Sequence, residues 1–370
     1  MLLTIIVFIL ILGLLVFVHE FGHFFVARKL GVGVEEFGLG FPPRIFGIKK
    51  NNTIYSLNWI PLGGFCKIKG EEGDESTEKD SFVSKRIRVK IAIISAGVIM
   101  NVFLAFILFS IVFVIGFPQV INEKTIQGAK KISQAQIQIM AVSKNSPAEK
   151  ADIQLGDTFL EMDHQKIEEV SMFQNYVQKN SKKEIAIKIK RGNKIFEKKI
   201  QPEFSEKVNK KIIGVQLVKI GTISYPWHKS ILLGAEFTYS TTIEIIKAFC
   251  SLIKNLFIHQ TLSADISGPI GIAVMTKQMI NLGLNYVILF AGMLSLNLAI
   301  INFLPFPALD GGKVAFLIVE KIRRKPINQQ IENISHGIGF ILLMLLVVIV
   351  TYQDIAKFSG KILAAIKRLF

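Results

Sequence analysis

The sequence predicts a polytopic α-helical membrane protein of about four transmembrane helices, with a membrane-associated β-hairpin or sheet and one inserted β/α domain. Three observations predict it. Hydrophobic residues make up 51% of the 370 residues and mean hydropathy is +0.45, oily for a soluble chain of this length. The apolar residues gather in four long runs. Between the second and third runs lies a polar stretch whose alternation and turn residues read as strands and short helices.

The first run, residues 3–26, is long enough to cross about 30 Å of hydrocarbon at 1.5 Å per residue. It lacks a basic start and a small-residue cleavage site, so it reads as a span and not as a signal peptide. The second run, 91–117, is apolar apart from Ser95, Asn101 and Ser110. The third, 286–304, carries Asn297 and Asn302, and the fourth, 337–351, is the cleanest. Arg28, Lys29, Lys85, Arg86, Arg88 and Lys90 flank the first loop, and Lys321, Arg323, Arg324 and Lys325 flank the last. The positive-inside rule places both in the cytoplasm, and residues 118–284 outside. The basic tail, with Lys357, Lys361, Lys367 and Arg368, runs against that placement. A net charge of +16 fits lysine and arginine meeting anionic lipid; no motif points to nucleic acid.

The expected domains are a first membrane part over 1–117, a soluble domain over 118–204, a linker with membrane-surface helices over 205–284, a second membrane part over 285–356 and a basic tail over 357–370. Residues 37–69 predict two to four short strands with a turn at Asn51 and Asn52. They are too apolar for a wet loop and are expected to dip into the membrane where protein shields them. The acidic residues 71–80 read as a mobile connection. The soluble domain predicts a strand, a helix starting at Ser146 and Pro147, two strands, a helix over 171–178, and two alternating strands joined at Gly192 and Asn193. Residues 227–257 predict two surface helices broken near Thr241 and Thr242, with a fifth span as the alternative. Cys66 and Cys250 form no metal-type pair or disulfide framework, and Cys250 is expected in a core or interface.

The chemistry starts at "HEFGH". His19 and His23, at i and i+4, share a helical face and can chelate one zinc ion. Glu20 beside them can take a proton from water. Ionisable groups in a membrane helix are costly unless paired or bound, so the competing reading is a polar face lining a transporter or channel cavity. Two histidines need a further protein ligand. Asp310, in "NFLPFPALDGG", is the best candidate, on a turn broken by proline and glycine; its bland role is to cap the helix that follows. Asn302 could bond a peptide backbone, hold the Asp310 loop, or join helices. Glu35, Glu36 and Asp265 are further acids outside clear helix cores, and His164, His228, His259 and His336 lack ligand spacing to the first motif.

With those residues in view, essentially the whole chain resembles the site-2 protease family, the intramembrane zinc metalloproteases that include the bacterial regulator-of-sigma proteases. The family's HExxH motif falls on His19, Glu20 and His23, and its LDG motif on Leu309, Asp310 and Gly311. Its substrate-contacting Asn falls on Asn302, and its "PLGG" element on Pro61, Leu62, Gly63 and Gly64. Its Gly-Pro-x-x-Asn stretch maps to Gly97, Val98 and Asn101, with the proline missing. "SGPIGIA" at residues 267–273 also matches. Ser146, Pro147 and the "LGD" at 155–157 resemble a PDZ domain, so the chain looks like a short form with one extracytoplasmic PDZ-like domain.

The resemblance implies a zinc metalloendopeptidase with one Zn2+ per chain, ligands His19, His23 and Asp310, catalytic Glu20, and substrate-binding Asn302, Pro61, Leu62, Gly63, Gly64 and Asn101. It implies regulated intramembrane proteolysis of single-span proteins in the lipid bilayer, already trimmed outside by another protease, with anti-sigma factors and remnant signal peptides as typical substrates. Two rivals stay open on sequence: a transporter or channel, which would show paired internal repeats, and a non-catalytic PDZ scaffold, which would lack Glu20 or a ligand.

Overall fold

The computed structural model describes residues 2–71, 78–120, 129–132, 135–180, 184–192, 194–205, 210–259, 268–325 and 327–366. Asp265, Ser267, Asn193 and most of the acidic 71–80 stretch lie outside the described residues, as do the side chains of Pro61, Leu62 and His259.

Four described helices are long and apolar enough to span a bilayer: α1 (Leu2–Lys29), α2 (Ile87–Ile115), a later helix over Leu284–Asn302, and Gln329–Lys357 of the last helix. They sit on the four expected runs. The last helix, Gln329–Ile366, extends well past 337–351 at both ends. Hydropathy marks where the lipid is, whereas a helix ends only where its backbone bonding is interrupted.

Between α1 and α2 the chain forms β1 (Val34–Lys50) and β2 (Thr53–Ile68). Asn51 and Asn52 have φ of 51° and 62°, the left-handed pair that a two-residue hairpin turn requires. The two strands are longer than expected, but both bend. Gly38 is aligned with Phe65 and also with Ser56, so residues 34–39 lie between the two arms of β2. Segment 44–50 flanks the far side of 53–58, and segment 64–68 is left as an edge. Aromatic contacts of Phe37 with Phe17, Phe24 and Tyr55, centroids 5.1–6.4 Å apart, pack this sheet on α1.

The β/α domain holds β3 (Phe117–Val120), β4 (Lys131–Ile132), β5 (Gln136–Val142), α3 (Pro147–Lys150), β6 (Thr158–Met162), β7 (Gln165–Lys166), α4 (Val170–Lys179), β8 (Ile185–Arg191) and β9 (Lys194–Ile200). The small pair β10 (Glu203–Ser205) and β11 (Lys210–Ile212) precedes β12 (Val215–Ser224). The main sheet has the order β3-β12-β5-β6-β8-β9. It therefore runs past residue 204: β12, within the stretch read as linker, pairs with both β3 and β5. Ser146 caps α3 by accepting from the Glu149 N–H, as the Ser-Pro signal predicts. Ile185, Ile187 and Ile189 alternate into the core, against Phe173 and Val177, one turn apart on α4.

The chain continues as α5 (Trp227–His259), α6 (Pro269–Leu282), α7 (Leu284–Asn302), α8 (Asp310–Arg323) and α9 (Gln329–Ile366). The expected break at Thr241 and Thr242 is absent. The Thr242 hydroxyl instead bonds back to the Thr238 carbonyl at 2.7 Å, which keeps a β-branched residue inside a helix. α5 is one continuous helix and is not among the candidate spans. Cys66 and Cys250 are both free, and Cys250 is exposed, which removes the core from its two expected places, core or interface. A helix with mixed faces does not reveal by composition alone which face is covered. The chain divides into two compact units: residues 1–108, 235–276 and 291–370, and residues 109–234 and 277–290.

Candidate metal centre

The centre lies within the first unit and begins on α1. The buried residues of this helix, Ile11, Leu15, His19, Gly22, His23 and Ala27, recur every three or four positions and form one stripe. That stripe carries both imidazoles inward. Gly22 sits where α2 comes closest: an added Cβ would stand 2.5 Å from the Ala96 carbonyl oxygen.

α2 supports the histidines at successive turns. The Ile93 carbonyl accepts from His23 Nδ1 at 2.9 Å. Gly97 lies against both rings; a Cβ there would be 2.4 Å from His23 Nε2 and 2.8 Å from His19 Cε1. Asn101, wholly buried, places its side-chain amide 3.4 Å from His19 Nδ1. Its Oδ1 otherwise lacks a partner. Turned with Oδ1 toward Nδ1, the amide gains that partner and leaves the His19 Nε2 lone pair free. Ser295 of α7 donates to the Asn101 carbonyl at 2.8 Å and ties the third span to this wall. Asn101, expected on the substrate side, thus stands at the His19 ring nitrogen that Asp310 does not approach.

Asp310 arrives as the first residue of α8. Leu309 occupies the cap position without a side-chain cap bond, so Asp310 is not the cap itself. Gly311 and Gly312 let the helix fold back on its own loop: a Cβ on either would stand 2.3 Å from a backbone oxygen, of Phe303 and Leu304 for the first and of Phe306 for the second. Asp310 Oδ2 lies 3.0 Å from His19 Nε2 and 3.3 Å from His23 Nε2, and the two Nε2 atoms are 3.2 Å apart. Oδ2 is buried, at ion-pair distance from both rings but in hydrogen-bonding alignment with neither. Burial alone would raise the Asp310 carboxyl, but the His19 and His23 imidazoles outweigh it and hold it below the usual carboxylate range. Three atoms bonded tetrahedrally to one zinc at about 2.0–2.1 Å would lie about 3.3–3.4 Å apart. The triangle and its donor chemistry, two imidazoles and a carboxylate, fit that ion. Among the described residues this is the one group of three His, Cys, Asp or Glu side chains so converged.

Glu20 is next to His19. Gly64 of the hairpin lies beside it, with the Glu20 Cγ 3.7 Å from where a Gly64 Cβ would stand. Gly63, at φ 127°, takes a conformation that side chains resist. Asn302 ends α7, half-buried, just before the Asp310 loop. Sequence reading passed over Lys313, one turn beyond Asp310. It donates to Glu71 at 2.6 Å and anchors the start of the stretch read as mobile. Burial works against the Lys313 charge, but Glu71, with Asp310 and Glu20, outweighs it and keeps its pKa above the ordinary lysine value. Burial, then Glu20 and Glu71, push the nearby Cys66 thiol up, so it stays neutral. The other acids are engaged elsewhere: Glu36 with Arg44 and Ser56, Glu35 with Lys67.

An HExxH helix inside a bilayer-spanning segment, joined by a carboxylate from a broken turn after a later span, defines the class: an intramembrane zinc metalloendopeptidase in a multi-pass membrane protein. The chain belongs to peptidase family M50, whose model matches residues 7–346. It is 30% identical to the regulator of sigma-W protease RasP of Bacillus subtilis, over 96% of this chain and 98% of that one. It is 30% identical to the zinc metalloprotease RasP of Geobacillus kaustophilus, over the same shares. A protein of Clostridium perfringens is 34% identical over 92% of this chain and 95% of its own. A solved PDZ domain of an SdrC-like protein from Listeria monocytogenes matches 24% of this chain and 93% of its own, at 24% identity and a TM-score of 0.22. Zn2+ is the cofactor of this family of proteases, and its members act on membrane-protein substrates within the bilayer.

Proposed function

We propose that His19, His23 and Asp310 hold one Zn2+ and that Glu20 is the general base and acid of peptide hydrolysis. The observation that carries this reading is the 3.0–3.3 Å triangle of Nε2, Nε2 and Oδ2 atoms with Glu20 beside it. Bound there, the ion supplies Lewis acidity that makes water a stronger acid and a peptide carbonyl a better electrophile. Glu20 accepts the proton of the attacking water and returns it to the amide nitrogen as the C–N bond breaks, so one water is consumed per bond. Asn101 and the Ile93 carbonyl keep the imidazoles turned inward.

A helical substrate hides its peptide bonds and must be unwound before attack. Segment 64–68, an edge of this sheet beside Glu20, is where an extended substrate strand adds. Pro61, Leu62, Gly63 and Gly64 then line the substrate path, and Asn302 holds a substrate backbone group. The substrates are single-span membrane proteins already trimmed outside, with anti-sigma factors and remnant signal peptides as the leading classes. The name of the Bacillus subtilis relative, a regulator of sigma-W, supports that choice. The membrane is the cell inner membrane, as the family resemblance implies, and the basic flanks support an orientation with the centre toward the cytoplasm and the PDZ-like domain outside.

The test is cleavage of a model single-span substrate together with metal analysis. Glu20→Gln is expected to lose cleavage by about 10²–10⁴-fold while staying folded and zinc-loaded. Near-normal cleavage by that variant refutes the assignment of Glu20. Asp310→Ala is expected to lower zinc content; full zinc occupancy would mean a different third ligand.

A further inference from the structure

The loop that delivers Asp310 is gripped by the last span. Ala308 has φ of 77°, a left-handed conformation that a Cβ opposes. Its N–H donates to His336 Nδ1 of α9 at 2.8 Å. Because Nδ1 accepts, the neutral ring carries its proton on Nε2. That Nε2 is buried without a hydrogen-bond partner, its closest carboxylate contact being Glu332 at 3.9 Å. The ring's directional bond is therefore the one to Ala308. Phe316 of α8 packs beside the imidazole, centroids 5.5 Å apart. One turn along α9, Gly339 meets Pro307 so closely that an added Cβ would stand 2.4 Å from its carbonyl oxygen. Ala308 is thus held in a strained conformation by α9 two residues before Asp310, while Gly311 and Gly312 press the other end of the turn onto the loop.

We propose that His336 is a positioning residue for the metal centre: its Nδ1 latches Ala308 in the left-handed conformation that aims the Asp310 carboxylate at His19 and His23. A free loop would relax at Ala308 and swing that carboxylate out of the triangle. The proposal rests on the reading of Asp310 as a zinc ligand.

The test uses the full chain in detergent, with zinc affinity from chelator competition and the visible spectrum of the cobalt-substituted protein as readouts, neither of which needs cleavage. His336→Phe keeps an aromatic ring and removes the acceptor. It is expected to weaken zinc binding about tenfold or more and to shift the cobalt bands. His336→Asn, whose Oδ1 can take the place of Nδ1, is expected to restore both. Adding Ala308→Gly to His336→Phe should also restore affinity, because glycine adopts this φ without the Cβ penalty. Unchanged affinity and spectrum in His336→Phe, or an Asn variant as impaired as the Phe variant, overturns the proposal. Should melting show that His336→Phe does not fold, Gly339→Ala replaces it. That variant pushes α9 off Pro307 with His336 intact and is expected to weaken zinc binding; unchanged affinity there also overturns the latch. Asp310→Ala separates the two ideas. If it keeps zinc, the ligand reading falls and the latch with it; if it loses zinc while His336→Phe does not, only the latch falls.

Discussion

The membrane core and the PDZ-like domain use burial in opposite ways. In the domain, Ile185, Ile187 and Ile189 are sealed inside while Lys188 and Lys190 turn outward, the pattern of a sheet folded against water. In the membrane core, Leu2, Leu3, Ile5 and Leu10 are exposed, and only 17% of the apolar window of α1 is buried. That core does bury large apolar side chains, Leu15, Ile93 and Leu296 among them, but with them it buries the polar His19, His23, Asn101 and Ser295, and Gly22 and Gly97 stand at close approaches. Lipid tails solvate leucine as well as a protein interior does, so the core gains little by hiding it. It gains by packing small residues closely and by pairing inward polar groups, as Ser295 does with the Asn101 carbonyl. A metal centre belongs naturally in such an interior, and it leaves little spare room there.

That contrast can be broken at chosen residues. The largest effect is expected at Gly97→Ala, where the new Cβ meets both imidazoles and forces the triangle apart. Zinc content and cleavage should both fall to background, and a variant that binds zinc normally would show that α2 does not press on the site. Next is Ile187→Ala in the domain core, expected to destabilise that sheet by about 2–5 kcal/mol through the cavity it leaves. Hydrogen exchange of β8 and β9 should accelerate while zinc content stays constant; a matching loss of metal would deny the two regions separate cores. The smallest effect concerns acid. Burial would raise the Asp152 carboxyl, but Gln154 and Arg191 hold it below its ordinary value. A depressed carboxylate stabilises the fold above its unfolded pKa and loses that contribution as pH falls. Exchange in the domain should therefore rise modestly below about pH 4. Arg191→Gln should flatten that rise, although it also removes the paired hydrogen bonds of 2.7 and 2.8 Å to buried Asp157 and so lowers stability at every pH.

Periodicity and local signals carried the elements. The Asn51 and Asn52 turn, the Ser146 cap, and the alternating β8 and β9 strands all rest on rules that act within a few residues. Where the outcome depended on a distant partner, sequence reading fell short. It did not foresee that β12 joins the PDZ-like sheet beside β5, nor that α5 runs unbroken past Thr241 and Thr242. Lys313 offered no signal, because a lysine in the second turn of a helix is unremarkable until Glu71 is brought to it.

The sequence by itself determined that four apolar runs cross the membrane and that His19 and His23 share a helical face with Glu20 beside them, because helical pitch converts i and i+4 into proximity. Only the tertiary structure decided what completes that face. It set Asp310 within 3.0–3.3 Å of both rings, Gly97 beneath them, Asn101 behind His19, and His336 on the loop that carries Asp310. These are contacts between helices far apart in the chain. Spacing along one helix cannot encode them; they depend on how closely glycine lets two backbones approach and on which buried polar groups must find partners once water is gone.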